Sequence, residues 1–98
     1  MAELLDDAAV TAALADLTDW TRDGDSIVRT VELSSFPEAI AVVGRVGGDA
    51  EERDHHPDID IRWRTLTFRL STHSEGGLTA KDTELAAQID ARIAAAGS

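Results

Sequence analysis

Apolar residues recur along the first third of this chain with two different spacings, which predict a helix followed by a β-hairpin. Within residues 5–17 the apolar side chains fall four and three positions apart, the period of one helix face: Val10, Leu14 and Leu17. Gly24 lies in a turn signal, and the segment 26–33 after it alternates between apolar and polar residues. This alternation predicts the second strand of a hairpin whose first strand begins at Trp20.

A long helix is predicted from residue 36 to about Asp54. Ser35 and Glu38 form a capping box, and Pro37 lies in the first turn, where its missing N–H costs nothing. Pro57 ends the helical region, because the residue before a proline avoids α geometry. The side chains expected to face the core are Phe36, Ile40, Val43, Gly47 and Ala50.

The segment 59–70 alternates throughout and predicts a second hairpin that turns at Arg64-Thr65. Trp63 is expected on the apolar face with Ile59 and Ile61, and therefore in the core. Three basic residues are expected on the opposite, solvated face: Arg62, Arg64 and Arg69. After a turn at Gly76-Gly77, Thr79 caps a last helix whose apolar residues recur every four positions: Leu85, Ile89 and Ile93.

The predicted order of elements is αββαββα, which indicates an α+β fold. Four antiparallel strands would form one sheet, covered on one face by three helices in two layers. The length of 98 residues predicts one domain that spans 1–98. A domain of this size buries a modest fraction of its surface, which favours self-association.

Charge and composition exclude several classes of function. Nineteen acidic residues against nine basic ones give a formal net charge of -10, which opposes direct binding to nucleic acid or to anionic membranes. The absence of cysteine rules out disulfides, thiolate nucleophiles and thiolate-bound zinc. No apolar run approaches the roughly 18 residues that span a bilayer, and the acidic N-terminus is unlike a secretion signal. We therefore expect a cytoplasmic protein.

The three histidines of the chain are expected to lie together. His55 and His56 precede the second hairpin and His73 follows it, and an antiparallel hairpin places its entry beside its exit. Acidic residues crowd the same stretch. Imidazole carries a mobile proton near neutral pH, so a cluster without a thiol or an activated hydroxyl points to proton-transfer chemistry.

The histidines belong to a spaced set that resembles the signature of the pterin-4a-carbinolamine dehydratases. The resemblance is strong over residues 51–90 and weaker but collinear over 5–50. Trp63 stands where the family accepts any aromatic residue. The matching residues, all at the family's spacing, are Glu51, His55, His56, Pro57, Trp63, His73 and Asp82.

The resemblance implies an enzyme that dehydrates 4a-hydroxytetrahydropterin to the quinonoid dihydropterin without a metal or an organic cofactor. Its substrate would come from an aromatic amino-acid hydroxylase, which is a functional partner, and the subunits would form a homodimer or homotetramer. The implied catalytic residues are His55, His56 and His73. Contacts to the pterin are implied for these and for Asp54, Ser71 and Thr72, with Glu51, Pro57, Trp63 and Asp82 in support.

Other interpretations of the same residues stay open. His55, His56 and His73 could bind a metal, although adjacent residues on a helix point about 100° apart and rarely chelate one ion. Asp82 could simply stabilise the start of the last helix, and Glu51 could be an exposed residue or the partner of His55 four positions on. A non-enzymatic role as an assembly factor or coactivator is the alternative function.

Overall fold

The computed structural model describes residues 3–96, and its order of elements is the predicted αββαββα. None of the helices in this range is long and apolar enough to cross a membrane. A short 3₁₀ turn, His73–Glu75, precedes the last helix. In chain order the elements are α1 (Asp7–Asp16), β1 (Thr21–Asp23), β2 (Ser26–Glu32), α2 (Phe36–Arg53), β3 (Asp58–Arg62), β4 (Thr65–Leu70) and α3 (Ala80–Ala95).

The four strands form one antiparallel sheet in the order β1-β2-β4-β3. The two predicted hairpins are therefore joined through their second strands, β2 and β4. Alternate residues of these strands, among them Ile27, Leu66, Phe68 and Leu70, point to one face and are fully buried. All three helices contribute to the same hydrophobic core, which confirms the predicted α+β architecture.

Helix α2 begins and ends where its sequence predicts, but it turns a different face to the core. Ser35 accepts a hydrogen bond from the Glu38 N–H, and Asp54 ends the helix in the left-handed conformation, with φ 49°. The predicted stripe is right at Ala50, which is buried, and wrong at its N-terminal end, where Phe36 and Ile40 stay 47% and 43% exposed. The helix instead packs through a parallel stripe of smaller side chains: Ala39, Val42, Val46 and Ala50.

The second hairpin turns one residue earlier than predicted, and this moves Trp63 out of the core. Strand β3 ends at Arg62, and Trp63 takes a left-handed φ of 55° with 68% of its surface exposed. The Arg64 guanidinium stacks on the indole, 4.6 Å from the ring centroid, and Nη1 donates to the Leu33 carbonyl. Arg64 thus belongs to the turn, whereas Arg62 and Arg69 lie on the uncovered face as predicted.

Candidate active site

The hairpin of β3 and β4 brings the two histidine-bearing segments to one end of the sheet. Asp58 pairs with Arg69, so residues 55–57 enter the hairpin beside the exit at 71–73. The left-handed Asp54 lets the chain leave α2 sharply, and the His55 N–H donates to the Ala50 carbonyl at 3.1 Å. The chain passes in this way from the last turn of α2 directly into the mouth of the hairpin.

His55 is buried against a carboxylate from the last helix. Its Nε2 lies 2.6 Å from Asp82 Oδ1, and the Asp82 side chain is completely buried. The other oxygen of Asp82 accepts two hydrogen bonds, and a carboxylate that accepts at both oxygens takes the Nε2 proton of His55 as its third donor. Of the two alternatives for Glu51, an exposed position is confirmed, with 82% of its side chain exposed, and the pairing with His55 is wrong. The partner lies 27 residues further along the chain, in α3.

Asp82 also closes the capping box of α3, as its position predicted. Its Oδ2 accepts from the Thr79 N–H at 2.9 Å, and the Thr79 side chain caps the helix. The Thr72 hydroxyl donates to the same Oδ2 at 2.8 Å and lies 2.8 Å from the Thr79 hydroxyl. The interpretations of Asp82 as a helix cap and as a supporting residue of the site are therefore compatible.

Every polar group of Thr72 takes part in a hydrogen bond. Besides its hydroxyl, its N–H donates to the Gly77 carbonyl and its carbonyl accepts from the Glu75 and Gly76 amides. The residue is buried, although the hairpin exit around it lies at the surface. These bonds fix the short connection between β4 and α3, and with it the relative position of His73 and Asp82.

His56 faces the surface and pairs with an acid of the preceding helix. Its Nε2 lies 2.9 Å from Glu51 Oε2, and its side chain is 56% exposed. Glu51 is thus the partner of His56, which lies five positions further on. The left-handed Asp54 between them makes this approach possible, because a continuous helix would carry the two side chains to different faces.

The remaining predicted site residues divide by position. Ser71 is half-buried directly after β4, His73 is exposed at the start of the 3₁₀ turn, and Asp54 is exposed at the end of α2. The half-buried Pro57 leads into β3. Trp63 lies at the far end of that strand, roughly 16 Å away by five residues of extended chain. Within one subunit Trp63 therefore stands apart from the histidines.

A cavity of about 200 Å³ opens beside His55. It is lined by Arg53, His55, Lys81 and Glu84. The charged lining residues were not among those expected from the sequence, and no local motif singles them out. Among residues 3–96, no three histidine or acidic side chains are grouped as ligands for a metal ion.

A second buried carboxylate, Asp49, ties α2 to α3 on the turn before the histidines. The Arg92 guanidinium donates to both of its oxygens at 2.8 Å, and these hydrogen bonds hold the pKa of Asp49 below its usual value, against the opposing effect of burial. The same contact raises the pKa of Arg92. Helix α2, which ends two residues before His55, and helix α3, which carries Asp82, are therefore fixed to each other.

Comparison with known proteins identifies the family. The family model described as pterin 4 alpha carbinolamine dehydratase matches residues 3–92. A Nocardia farcinica protein, named provisionally as a pterin-4-alpha-carbinolamine dehydratase, is 65% identical over 88 residues, 90% of this chain and 93% of its own. A Roseiflexus castenholzii protein with the same provisional name is 60% identical over 90 residues, 92% of this chain and 97% of its own.

Two solved structures share the fold. A Brucella melitensis protein described as a transcriptional coactivator/pterin dehydratase superposes with a TM-score of 0.90 at 27% identity, covering 93% of this chain and 99% of its own. A pterin dehydratase-like protein described as a RuBisCO assembly factor of the α-carboxysome superposes with a TM-score of 0.62 at 17% identity, over 76% and 86% of the two chains, and shows the fold alone. From the family match and its close relatives, this chain belongs to the pterin-4a-carbinolamine dehydratases, a family of hydro-lyases.

Proposed function

We propose that the chain dehydrates a 4a-hydroxytetrahydropterin by histidine acid–base catalysis. The observation that carries this proposal is the buried hydrogen bond from His55 Nε2 to Asp82 Oδ1 at 2.6 Å. A carboxylate that fixes one nitrogen of an imidazole leaves the other nitrogen, Nδ1, to exchange a proton with the substrate. Among residues 3–96, the side-chain hydrogen bonding of His55 uses Nε2 alone.

The reaction requires two proton movements at neighbouring atoms of the pterin. The C4a–O bond breaks as the hydroxyl takes a proton and leaves as water, while N5 loses its proton and the C4a–N5 double bond forms. One group must therefore begin protonated and another unprotonated. We assign this pair to His55 and His73, which the hairpin brings to the same end of the sheet.

His56 takes a different role in this proposal. Its Nε2 is held by Glu51, an exposed acid of α2, and we assign it to orienting the pterin. Asp54 and Ser71 complete the contacts to the ring. Thr72, whose hydroxyl and backbone groups are already engaged, contributes by holding Asp82.

The test is turnover of chemically generated 4a-hydroxytetrahydropterin by purified, EDTA-treated protein. We expect dehydration well above the spontaneous rate, and a loss of about 10²–10⁴-fold in kcat when His55 is replaced by alanine. The product returns to the cofactor pool after reduction, so the enzyme would serve an aromatic amino-acid hydroxylase. Activity that disappears with EDTA and returns with zinc would contradict the metal-free mechanism.

We also propose that the subunits associate as a homodimer or homotetramer. Among residues 3–96, five large apolar side chains are exposed: Leu4, Phe36, Ile40, Ile61 and Trp63. The bond from Arg64 to the Leu33 carbonyl holds the turn that carries Trp63 beside the start of α2, the helix that carries Phe36 and Ile40. Light scattering should give a molar mass that is two or four times the subunit mass of 10.5 kDa, and the Ile40→Glu variant should have a lower molar mass.

A non-enzymatic role is the second candidate, favoured by the description of the Brucella melitensis protein as both a coactivator and a dehydratase. A protein that acts only by binding has no use for a buried imidazole with a fixed proton. The two functions separate in one variant, because His55→Ala should abolish turnover and leave an assembly or coactivator function intact.

A further inference from the structure

We propose that Arg53 and Lys81 form a subsite for an anionic group on the side chain at C6 of the pterin. The preferred substrate would then carry a carboxylate or a phosphate on that side chain. This inference rests on the proposed dehydratase function and adds a substrate class to it. Three observations carry it: the pairing of the basic residues, the shape of the surface at His55, and the position of C6 in the pterin.

Most of the basic residues in this acidic chain are already neutralised by an acid. Six of the nine have a carboxylate oxygen within 3.6 Å, so that only Arg45, Arg53 and Lys81 lack an ion pair within residues 3–96. Arg53 helps to lower the pKa of Asp49, but both oxygens of that carboxylate are bonded to Arg92, so Arg53 keeps its hydrogen-bond donors. The paired residues are Arg22, Arg29, Arg62, Arg64, Arg69 and Arg92.

Two of the three unpaired bases line the same cavity as His55. Arg53 is the last residue of α2, two positions before His55, and Lys81 lies in the first turn of α3, directly before Asp82. The cations are therefore attached to the two elements that hold the buried imidazole. Glu84 also lines the cavity but forms no ion pair with either of them.

A pterin that reacts at His55 would bring its C6 substituent near these cations. C6 is bonded to N5, and N5 is bonded to C4a, the carbon that loses the hydroxyl. A pterin whose C4a and N5 meet an imidazole of the site therefore carries its side chain within a few bonds of that imidazole. The long, flexible stems of Arg53 and Lys81 reach over such a distance, and their charged ends remain in water.

The expected effect is modest because both side chains are exposed. Ion pairs of this kind are worth about 1.5- to 5-fold in an equilibrium constant, so the two together would favour an anionic substrate by about 2- to 25-fold at low ionic strength. Salt should weaken the preference, because exposed charges are screened. Glu84 opposes the anion, so Glu84→Gln should strengthen the preference.

The experiment compares KM for three 4a-hydroxytetrahydropterins: one with a neutral 6-methyl group, one with a glutamate-bearing side chain and one with a phosphorylated 6-hydroxymethyl group. Each is tested with the wild type, the double variant Arg53→Gln/Lys81→Gln, and Arg45→Gln as the matched control. Arg45 is the third unpaired base and lies on α2 outside the cavity lining. Circular dichroism checks that the variants are folded.

We expect a lower KM for at least one anionic substrate in the wild type, lost in the double variant and kept in Arg45→Gln. The neutral substrate should show the same KM in all three proteins. The two anionic substrates distinguish a carboxylate subsite from a phosphate subsite. Equal KM values for all three substrates in the wild type would overturn this inference and leave the dehydratase function intact, whereas failure to turn over any pterin would overturn the function itself.

Discussion

Asp82 accepts a hydrogen bond from His55 across 27 residues of sequence, and it also caps the helix that carries it. One carboxylate oxygen faces the imidazole, and the other receives the Thr72 hydroxyl and the Thr79 amide. The first turn of α3 is therefore both a helix start and the support of the proposed acid–base group. A residue with this double role should affect stability and catalysis by separable amounts.

The first prediction concerns the position of the proton on His55. In Asp82→Asn the amide can donate to Nε2, which moves the imidazole proton to Nδ1, so that the nitrogen proposed to face the substrate can no longer accept a proton. We expect kcat to fall by up to about 10²–10⁴-fold, the usual range for an acid–base group. The measurement is kcat beside the free energy of unfolding from urea denaturation.

Asp90→Asn is the matched control for that variant. Asp90 is also a partly buried carboxylate of α3, but it accepts from the Trp20 indole N–H and the Arg29 guanidinium, away from the histidines. The Asp90→Asn variant should lower the free energy of unfolding and leave kcat unchanged. If Asp82→Asn and Asp90→Asn lower kcat equally, the effect of Asp82 is only structural.

The elements of this fold could be predicted from the sequence because they depend on local spacing. Alternation over 65–70 and the Ser35 cap each indicate an element without knowledge of its neighbours. The buried face of α2 could not be predicted in the same way, since Phe36 and Ile40 repeat with the same helical period as the stripe that is buried. Choosing between the two stripes requires knowledge of how α2 lies on the sheet.

The site shows the same division between local and distant effects. The hairpin rule placed His73 beside the pair at 55–56, and the structure has the strand pairing on which that rule depends. The alternative that paired Glu51 with His55 was wrong, because the left-handed Asp54 redirects the chain and brings His56 to Glu51 instead. Similarly, the turn between β3 and β4 begins one residue earlier than the alternation predicts, and Trp63 is therefore exposed to solvent.

The second prediction separates His56 from the proposed proton-transfer pair. Glu51 holds His56 in place, so Glu51→Gln and His56→Ala should both raise KM, with kcat within a few-fold of the wild type. His73→Ala, in contrast, should lower kcat by about 10²–10⁴-fold. The measurement is a full Michaelis–Menten analysis of each variant.

Glu52→Gln serves as the control, because Glu52 is an exposed acid of the same helix turn without a hydrogen bond to either histidine. It should leave both constants unchanged. Should His56→Ala instead lower kcat as strongly as His73→Ala, the assignment of His56 to orientation would have to be abandoned.

The third prediction uses the backbone of Asp54. The left-handed conformation costs an ordinary residue roughly 1–2 kcal/mol but costs glycine little. Asp54→Gly should therefore leave the free energy of unfolding unchanged or raise it by up to about 1 kcal/mol. If the Asp54 carboxylate contacts the pterin, KM rises in the same variant, so stability and binding move independently.

Asp54→Asn distinguishes the two effects, since asparagine tolerates the left-handed conformation and lacks the charge. It should reproduce the rise in KM with no gain in stability. A normal KM in both variants would show that the carboxylate makes no contact with the substrate.

The last prediction concerns the pH dependence of stability. Hydrogen bonds from Arg92 hold the pKa of Asp49 below its usual value, so the folded state binds this proton less readily than the unfolded state does. The resulting stabilisation is complete above the unfolded pKa, about 3.9, and is lost as the pH falls through the lower folded value. Asp49→Asn removes this contribution, so the difference in unfolding free energy between wild type and variant should be large at pH 7 and shrink below about pH 4.

Because Asp49 and Arg92 hold α2 against α3, the same variant should loosen the approach of His55 to Asp82 and reduce kcat at neutral pH. Urea denaturation of both proteins between pH 7 and pH 3 measures the difference, and a constant value across that range would show that the Asp49 carboxylate is not stabilised by Arg92.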